Sequence, residues 1–162
     1  MSPDLCSLSS RTALVTGASR GIGAATARAL DRAGARVGLV ARSSDRLAEI
    51  AGELEHQPVV LAADLSHPDG PGAIAQQALE ALGPIDVLVN NAASAARLAT
   101  VDTDAGLIDD MLAVNVRAPL LLIAALIPAM TERGGGSIIN LSSVSGLVGT
   151  PRRAAYAATK GA

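Results

Sequence analysis

The sequence predicts an α/β fold with a doubly wound parallel sheet. Three observations support this prediction. Short apolar runs alternate with helical stretches along the chain, which favours parallel strands joined by right-handed helical crossovers. The first apolar run leads into a glycine-rich turn, and later runs end in amides or hydroxyls. A length of 162 residues suits one domain, so we interpret residues 1–162 as a single domain.

The first unit of the chain is a strand, a glycine turn, a helix and a second strand. Strand Thr12–Thr16 leads into the turn 17–23, and helix 24–33 precedes Gly34 and strand 36–40. Glycines in such a turn let a pyrophosphate approach the free N–H groups at the helix start. The residues suited to this role are Gly17, Gly21 and Gly23. Their spacing, G-x-x-x-G-x-G, leaves an ordinary strand–helix turn as the alternative.

The residues after the second strand bear on which dinucleotide would bind. An acidic residue there would accept hydrogen bonds from the adenosine ribose hydroxyls, but the chain has Ala41-Arg42. Arg42, with Arg20 in the glycine turn, favours a 2′-phosphate because planar guanidinium groups suit phosphate oxygens. We therefore predict NADP(H) in preference to NAD(H). The alternative is that both arginines are solvated surface charges.

The middle of the chain continues the alternation of strands and helices. We predict a helix over 43–55 capped by Ser43 or Ser44, a strand over 58–62 and a helix over Gly70–Leu82. Asp64 follows the third strand, where it either reaches the adenine edge or caps the next connection. The fourth strand, 86–92, runs into Asn90-Asn91-Ala92. Amides at the carboxyl end of a parallel strand can approach a cofactor, although a simple Asx turn would use them equally well.

A long helical region, about 104–131, is apolar on more than one face. Such a helix must be covered, so we predict the sheet on one side and a second subunit on the other. Asn115 is one of its few polar residues. Its amide is either a core group satisfied by the backbone or part of a catalytic site.

The last stretch carries the acid–base candidates. An apolar run ends at Ser142-Ser143, and Tyr156, the sole aromatic residue, is followed by Lys160 at i+4. On a helix these two side chains project from one face. The ammonium would stabilise the phenolate form of Tyr156 and make the phenol a better proton donor. A solvated helix face is the alternative reading of this spacing.

Composition bounds the other partners. The net charge of −2, without a basic stripe, argues against nucleic acid. Cys6 is the only cysteine, so an internal disulfide or a thiolate zinc site is excluded. His56 and His67 have no second ligand at metal spacing, so we predict no metal.

The terminus and the apolar runs bear on location. Residues 1–10 lack the pattern of a secretory signal. The longest apolar run, 118–130, contains Pro119 and Pro128 and is short for a bilayer span. We therefore predict a cytoplasmic protein without a membrane partner.

These motifs together resemble the short-chain dehydrogenase/reductase family over nearly the whole chain, from Arg11 to Ala162. The turn with its preceding Thr16 resembles the family's cofactor loop, and Asn90-Asn91-Ala92 resembles its Asn-Asn-Ala segment, with Ala93 in place of the usual glycine. The residues that match the catalytic four are Asn115, Ser143, Tyr156 and Lys160. Ser142 is the alternative hydroxyl, but the family's interval to Tyr156 is met from Ser143. Within the family, the pattern resembles that of the 3-oxoacyl carrier-protein reductases.

The resemblance implies a Rossmann fold and reversible hydride transfer between a nicotinamide and a small-molecule carbonyl or secondary alcohol. It implies that Tyr156 donates the proton, Ser143 hydrogen-bonds the reacting oxygen, Lys160 holds the nicotinamide ribose, and Asn115 positions a water linking Lys160 to solvent. The cofactor contacts that it implies are Gly17, Ser19, Arg20, Gly21, Ile22, Gly23, Arg42, Asp64, Leu65, Asn91, Ala92, Tyr156 and Lys160.

Members of this family usually continue well beyond the position of Lys160. We therefore expect a sheet that is incomplete at the C-terminus and a homo-oligomer only in a complete form. A truncated, non-catalytic dinucleotide-binding module is the alternative to an active oxidoreductase.

Overall fold

A computed structural model describes residues 7–162 of the chain. Cys6 lies outside the described residues. The strands and helices, numbered in chain order, are β1 Thr12–Thr16, α1 Gly21–Arg32, β2 Arg36–Ala41, α2 Ser44–Ala51, β3 Val59–Ala62, α3 Gly70–Leu82, β4 Val87–Asn90, α4 Ala105–Leu112, α5 Ala118–Glu132, β5 Ser137–Asn140 and α6 Ala154–Lys160. Short 3₁₀ turns cover Thr100–Asp102 and Val144–Gly146.

The strands form one parallel sheet in the order β3-β2-β1-β4-β5. The order reverses between β1 and β4, which is the hallmark of a doubly wound sheet. The predicted fold class is therefore confirmed. Because every pair is parallel, the carboxyl ends of all these strands meet at one edge of the sheet, which we call the carboxyl edge.

The core consists of aliphatic side chains in two layers, one on each face of the sheet. Successive strand residues point to opposite faces, so Leu14 packs in one layer while Ala13 and Val15 pack in the other. The first layer is covered by α3 and α5, and the second by α1 and α2. A core without Phe or Trp is filled by close packing of these small side chains.

Helix α2 ends earlier than the sequence predicts, and its N-cap settles an alternative that the sequence left open. Helix α2 ends at Ala51 rather than at Glu55, because the buried carboxylate of Asp31 accepts hydrogen bonds from the backbone N–H groups of Glu55 and His56, at 3.0 and 2.9 Å. Those N–H groups therefore point to a neighbouring helix instead of continuing α2. The sequence left Ser43 and Ser44 open as the N-cap of α2. The N-cap is Ser43, whose side chain accepts a hydrogen bond from the Arg46 N–H.

The long apolar helix is interrupted by a π-helical turn at Ala113–Arg117, between α4 and α5. The helical stretch Ala105–Glu132 is nevertheless continuous, and its length and composition would suit a membrane span. The core helix of a globular domain meets the same criteria, but the length of the apolar run does not by itself exclude a membrane, contrary to our expectation. Several of its large apolar side chains are exposed, among them Leu112, Leu120, Leu121 and Ile127.

Candidate active site

The carboxyl edge gathers most of the predicted site residues. The glycine turn follows β1, Arg42 follows β2, and Asp64-Leu65 lies just beyond β3. Asn91-Ala92 follows β4 and Ser142-Ser143 follows β5. Residues far apart in sequence thus share one edge because parallel strands all end there.

The glycine turn is shaped by close backbone approaches. Gly17 has a φ of 67°, in the left-handed region, and a Cβ there would meet Asn91 Nδ2 at 2.7 Å. A Cβ on Gly23 would overlap the carbonyl oxygen of Gly17. Side chains at these two positions would therefore push the turn open. Ser19 is partly exposed and Arg20, Gly21 and Ile22 are exposed, so this part of the turn faces outward.

Thr16 and Asn91 lock the turn to β4. The Thr16 hydroxyl accepts hydrogen bonds from the backbone N–H groups of Asn91 and Ala92, both at 3.0 Å. The Asn91 amide nitrogen donates to the carbonyl oxygens of Thr16 and Gly17, at 2.8 and 3.3 Å. The Asn91 side chain therefore holds the start of the glycine turn in place. The backbone atoms of Asn91 and Ala92 are held with it.

Arg20 lies in the glycine turn after β1 and Arg42 follows β2, and both residues are exposed. Asp64 caps the following connection, because its carboxylate accepts from the Ser66 N–H at 2.9 Å and from the Ser66 hydroxyl at 2.8 Å. These hydrogen bonds and the charge of Arg42 lower the pKa of Asp64. Leu65 is buried in the core, so its side chain serves packing.

Asn115 lies in the π-helical turn, and its buried amide makes three hydrogen bonds. Its Oδ1 accepts from the Ser94 N–H at 2.8 Å, and its Nδ2 donates to the Ser94 carbonyl at 2.9 Å. The same Nδ2 donates to the Thr159 hydroxyl at 2.8 Å. Isolated π turns in helices are frequent at functional sites because they redirect a side chain. Asn115 thereby joins α4–α5 to helix α6, which carries Tyr156 and Lys160.

Helix α6 is attached to the end of β5 by hydrogen bonds of Lys160. Its ammonium donates to the Leu141 carbonyl at 2.7 Å, and its own carbonyl accepts from the Ser142 hydroxyl at 2.8 Å. Burial lowers the pKa of the Lys160 ammonium. Tyr156 is half-buried on the same helix, at i and i+4 as the spacing predicts.

The two serines after β5 have different tasks. Ser142 is occupied by the Lys160 carbonyl, whereas the Ser143 hydroxyl accepts only the N–H of Ser145, at 3.2 Å. Among the described residues, the Ser143 hydrogen has no acceptor and is available to a ligand. The choice of Ser143 over Ser142 stays a prediction. A cavity of about 200 Å³ lies next to Ser142 and is lined in part by Asn115, Ser142 and Lys160.

Sequence reasoning missed the residues that connect these groups. Thr16 and Thr159 each bridge two segments through a hydroxyl, and Ser94 holds Asn115 through its backbone. Asn140 accepts a hydrogen bond from Asn90 at 2.9 Å across β4 and β5. The only signal for that pair is that both strands end in asparagine. Thr16 was noted only as the residue before the glycine turn, and no signal marks Thr159.

Comparison with known proteins gives a consistent result. The model of the family described as short chain dehydrogenase matches residues 11–162. The bovine protein named dehydrogenase/reductase SDR family member 7B is 36% identical over 156 residues, covering 91% of this chain and 48% of its own. The chain thus spans about half the length of that relative.

Solved structures resemble this chain closely. A metagenomic short-chain oxidoreductase in complex with NADP is 43% identical with a TM-score of 0.90, covering 94% of this chain and 71% of its own. A short-chain dehydrogenase from Streptomyces avermitilis is 34% identical with a TM-score of 0.88, covering 99% of this chain and 57% of its own.

Proposed function

The chain belongs to the short chain dehydrogenase family, and from this membership we propose that it transfers a hydride between NADP(H) and a small-molecule carbonyl or secondary alcohol. The observation that carries the proposal is the hydrogen bond from Asn115 to Thr159, which ties the π turn to the helix bearing Tyr156 and Lys160. This connection brings three of the four predicted catalytic residues into one assembly at the carboxyl edge. The same edge carries the glycine turn.

The glycine turn suits a dinucleotide. The absence of Cβ atoms at Gly17 and Gly23 keeps the turn tight. The side chain of the N-cap residue Arg20 does not cap α1, so N–H groups at the start of this helix can bind a pyrophosphate. Backbone N–H groups together with the positive end of a helix attract such an anion. The residues proposed to hold the dinucleotide remain those predicted from the sequence, with Leu65 contributing through its backbone and Asn91 supporting the turn.

Arg20 and Arg42 support the choice of NADP(H). Both are exposed beside the turn, and no carboxylate follows β2 directly to accept the ribose hydroxyls that NAD(H) would present. The similar metagenomic oxidoreductase was solved with NADP. We propose that the two guanidinium groups bind the 2′-phosphate.

When bound, the nicotinamide supplies or takes up the hydride. In the direction of reduction, the Tyr156 hydroxyl gives its proton to the carbonyl oxygen as negative charge develops there. Ser143 donates a hydrogen bond to the same oxygen, for which its hydrogen is available. The phenolate that remains is stabilised by the Lys160 ammonium, whose lowered pKa helps it to pass a proton onward. Asn115 holds α6 in place for both side chains.

Substitution of Tyr156 by Phe tests the proposal. We expect NADPH-dependent reduction of neutral ketones and aldehydes to fall at least about 100-fold, because general acid catalysis contributes about 10²–10⁴-fold. NADPH should still raise the melting temperature of the variant, since a ligand at about 100 times its Kd stabilises by about 2.7 kcal/mol. NADH should raise it less. Arg32→Gln, at the far end of α1, is the matched control and should change neither property.

Turnover by Tyr156→Phe at the unaltered rate would contradict the assignment of Tyr156. A melting temperature that rises with NADPH, without turnover by the unaltered chain, would instead support a non-catalytic dinucleotide-binding module. That module is the alternative function that the sequence leaves open.

The other predictions concern the setting of the enzyme. The exposed apolar side chains Leu112, Leu120 and Leu121 support the proposal that a second copy of the chain covers α4 and α5. The cytoplasmic location, the absence of a metal and the single-domain organisation of residues 1–162 stay predictions.

A further inference from the structure

A hydrogen bond of Arg117 joins the π-helical turn to the loop after β3. The Arg117 guanidinium donates to the backbone carbonyl of Ser66, 51 positions earlier in the chain. Arg117 is exposed, and within residues 7–162 no carboxylate lies within salt-bridge distance of it. This charged side chain is therefore directed to a loop of the carboxyl edge and not to a surface ion pair.

The loop that Arg117 contacts, residues 64–66, is packed at its start and held by this contact at its end. The Leu65 side chain is buried in the core, and a Cβ on Gly70 would overlap the Asp64 carbonyl oxygen. The Ser66 carbonyl accepts no backbone N–H in the described part of the chain. The Arg117 guanidinium therefore limits the movement of Ser66.

Ser66 in turn orients the Asp64 carboxylate. Its N–H and its hydroxyl both donate to Oδ1 of Asp64, at 2.9 and 2.8 Å. Among residues 7–162, Oδ2 of Asp64 accepts no hydrogen bond and the Leu65 N–H has no acceptor. The loop therefore offers an acceptor and a donor on consecutive residues. The Watson–Crick edge of adenine has the complementary pair, an amino donor and a ring-nitrogen acceptor.

The π-helical turn that carries Arg117 also reaches the opposite end of the carboxyl edge. Asn115, in the same turn, donates to the Thr159 hydroxyl of α6, and α6 is attached to the end of β5. Within the described sheet, β3 and β5 are the outermost strands. One turn of helix therefore holds both of the segments proposed to bind the two ends of the dinucleotide.

We propose that Arg117 is a positioning residue for the dinucleotide: its guanidinium fixes Ser66, so that the Asp64 carboxylate and the Leu65 N–H are held in place for the adenine base. Arg117 acts through Ser66 and needs no contact with the base. This inference rests on the proposed function, because it takes Asp64 and Leu65 as the residues that bind adenine.

Two dinucleotides test the proposal by binding alone. NADPH and reduced nicotinamide hypoxanthine dinucleotide phosphate differ only in the base, where hypoxanthine reverses the pair and presents an acceptor oxygen and a ring N–H donor. Both carry the reduced nicotinamide, whose fluorescence reports binding to the 162-residue chain. We expect the unaltered chain to bind NADPH about 10-fold more tightly than the hypoxanthine analogue, because the analogue leaves both groups of the loop unpaired.

Substitutions of Arg117 show whether it causes that preference. Arg117→Met removes the donor and should weaken NADPH binding about 5- to 10-fold, while the affinity for the hypoxanthine analogue should change less than about 2-fold. Arg117→Lys keeps a donor and should retain most of the preference. Arg32→Met, at an exposed arginine in the last turn of α1, is the matched control and should bind both probes as the unaltered chain does. Circular dichroism shows whether each variant keeps the fold, and Arg117→Gln supplies the same comparison if Arg117→Met unfolds.

A double-mutant cycle shows whether Arg117 acts through the loop. Asp64→Asn should also reduce the preference for NADPH, because it replaces the free acceptor oxygen in part by an amide donor. In the Asp64→Asn background, Arg117→Met should reduce the preference little further, since residues that act through one another have non-additive effects. Additive losses would contradict action through Asp64.

Equal affinities of the unaltered chain for the two dinucleotides would overturn the inference, as would an unchanged preference in Arg117→Met. An equal loss of affinity for both dinucleotides in that variant would also overturn it, because a merely structural role produces that result. Reduction of neutral ketones tests the proposed function separately: absence of that activity, with the Arg117-dependent preference intact, would contradict hydride transfer but not the role of Arg117. Binding of neither dinucleotide would contradict both.

Discussion

Strands β4 and β5 are neighbours of nearly the same composition, yet one is buried and the other is not. Val87–Asn90 and Ser137–Asn140 pair residue by residue, and both end in asparagine. All residues of β4 are buried. In β5, by contrast, Ile139 is 47% exposed, although its register partner Val89 is 1% exposed.

The difference comes from the neighbours of each strand. β4 lies between β1 and β5, whereas within residues 7–162 β5 pairs only with β4 and forms the edge of the sheet. The half of the carboxyl edge that carries the glycine turn is therefore held by buried contacts. The half that carries the predicted acid–base residues is held by hydrogen bonds of Ser142, Lys160 and Asn115. Similar strands thus acquire different burial from their positions in the sheet.

The largest expected loss of stability comes from a substitution that leaves a cavity at β4. Leu88 is fully buried, so Leu88→Ala should lower the free energy of unfolding by about 3 kcal/mol. Ile139→Ala, on the exposed face of β5, should lower it by less than about 1 kcal/mol, because that side chain is already in contact with solvent. Urea denaturation of both variants measures the difference. Equal losses would show that β5 is covered in solution, and the comparison would fail.

An intermediate effect is expected at the opposite ends of these strands. Asp86 is buried just before β4, where its carboxylate accepts from the Thr12 N–H at 2.9 Å and from Arg11 at 2.8 Å. Its backbone carbonyl accepts from the Ser137 N–H at 2.8 Å, so the residue also anchors β5. Asp86→Asn should cost about 2 kcal/mol at pH 7, because hydrogen bonds to a charged group are lost.

The pH dependence of this loss follows from the pKa of Asp86. Burial acts to raise that pKa, but hydrogen bonds from Thr12 and Arg11, with the charge of Arg133, hold it below its usual value. The unfolded chain therefore binds the proton more readily, and the stabilisation is complete above about pH 4. It is lost as the pH falls from about 4 through the folded-state pKa.

Urea denaturation of Asp86→Asn and of the unaltered chain at pH 7 and pH 3 tests this dependence. The difference between their free energies of unfolding should be smaller at pH 3 than at pH 7. Asp102→Asn, at an exposed carboxylate, is the control and should show no difference at either pH. If the difference in the free energy of unfolding between Asp86→Asn and the unaltered chain is the same at pH 3, the charge of Asp86 does not cause it.

The smallest expected effect is at the asparagine pair. Asn140→Ala removes the acceptor of the Asn90 amide and leaves that buried donor without its partner, which should cost about 1 kcal/mol. Asn140→Asp keeps an acceptor oxygen and should cost less. Thermal denaturation of both variants measures the order. If the two substitutions destabilise equally, the side-chain hydrogen bond does not join β4 to β5.

Local patterns were sufficient for most of the fold. The bounds of β1 and α3 were predicted to the residue, because an apolar run and a glycine–proline boundary carry that information locally. The end of α2 was not predictable, since the carboxylate that draws Glu55 away comes from Asp31 in another helix. The π turn at Asn115 was missed for the same reason, as the groups that hold Asn115 lie at Ser94 and Thr159.

The sequence by itself determined the alternation of strands and helices, the glycine turn and the i, i+4 relation of Tyr156 to Lys160, because each depends on neighbours along the chain. Only the tertiary structure decided that β4 is central and β5 lies at the edge, and that Asn91 braces the turn. It also decided that Asn115 meets Ser94 and Thr159. Those features depend on segments that meet only when the sheet forms, and no local pattern encodes which segments meet.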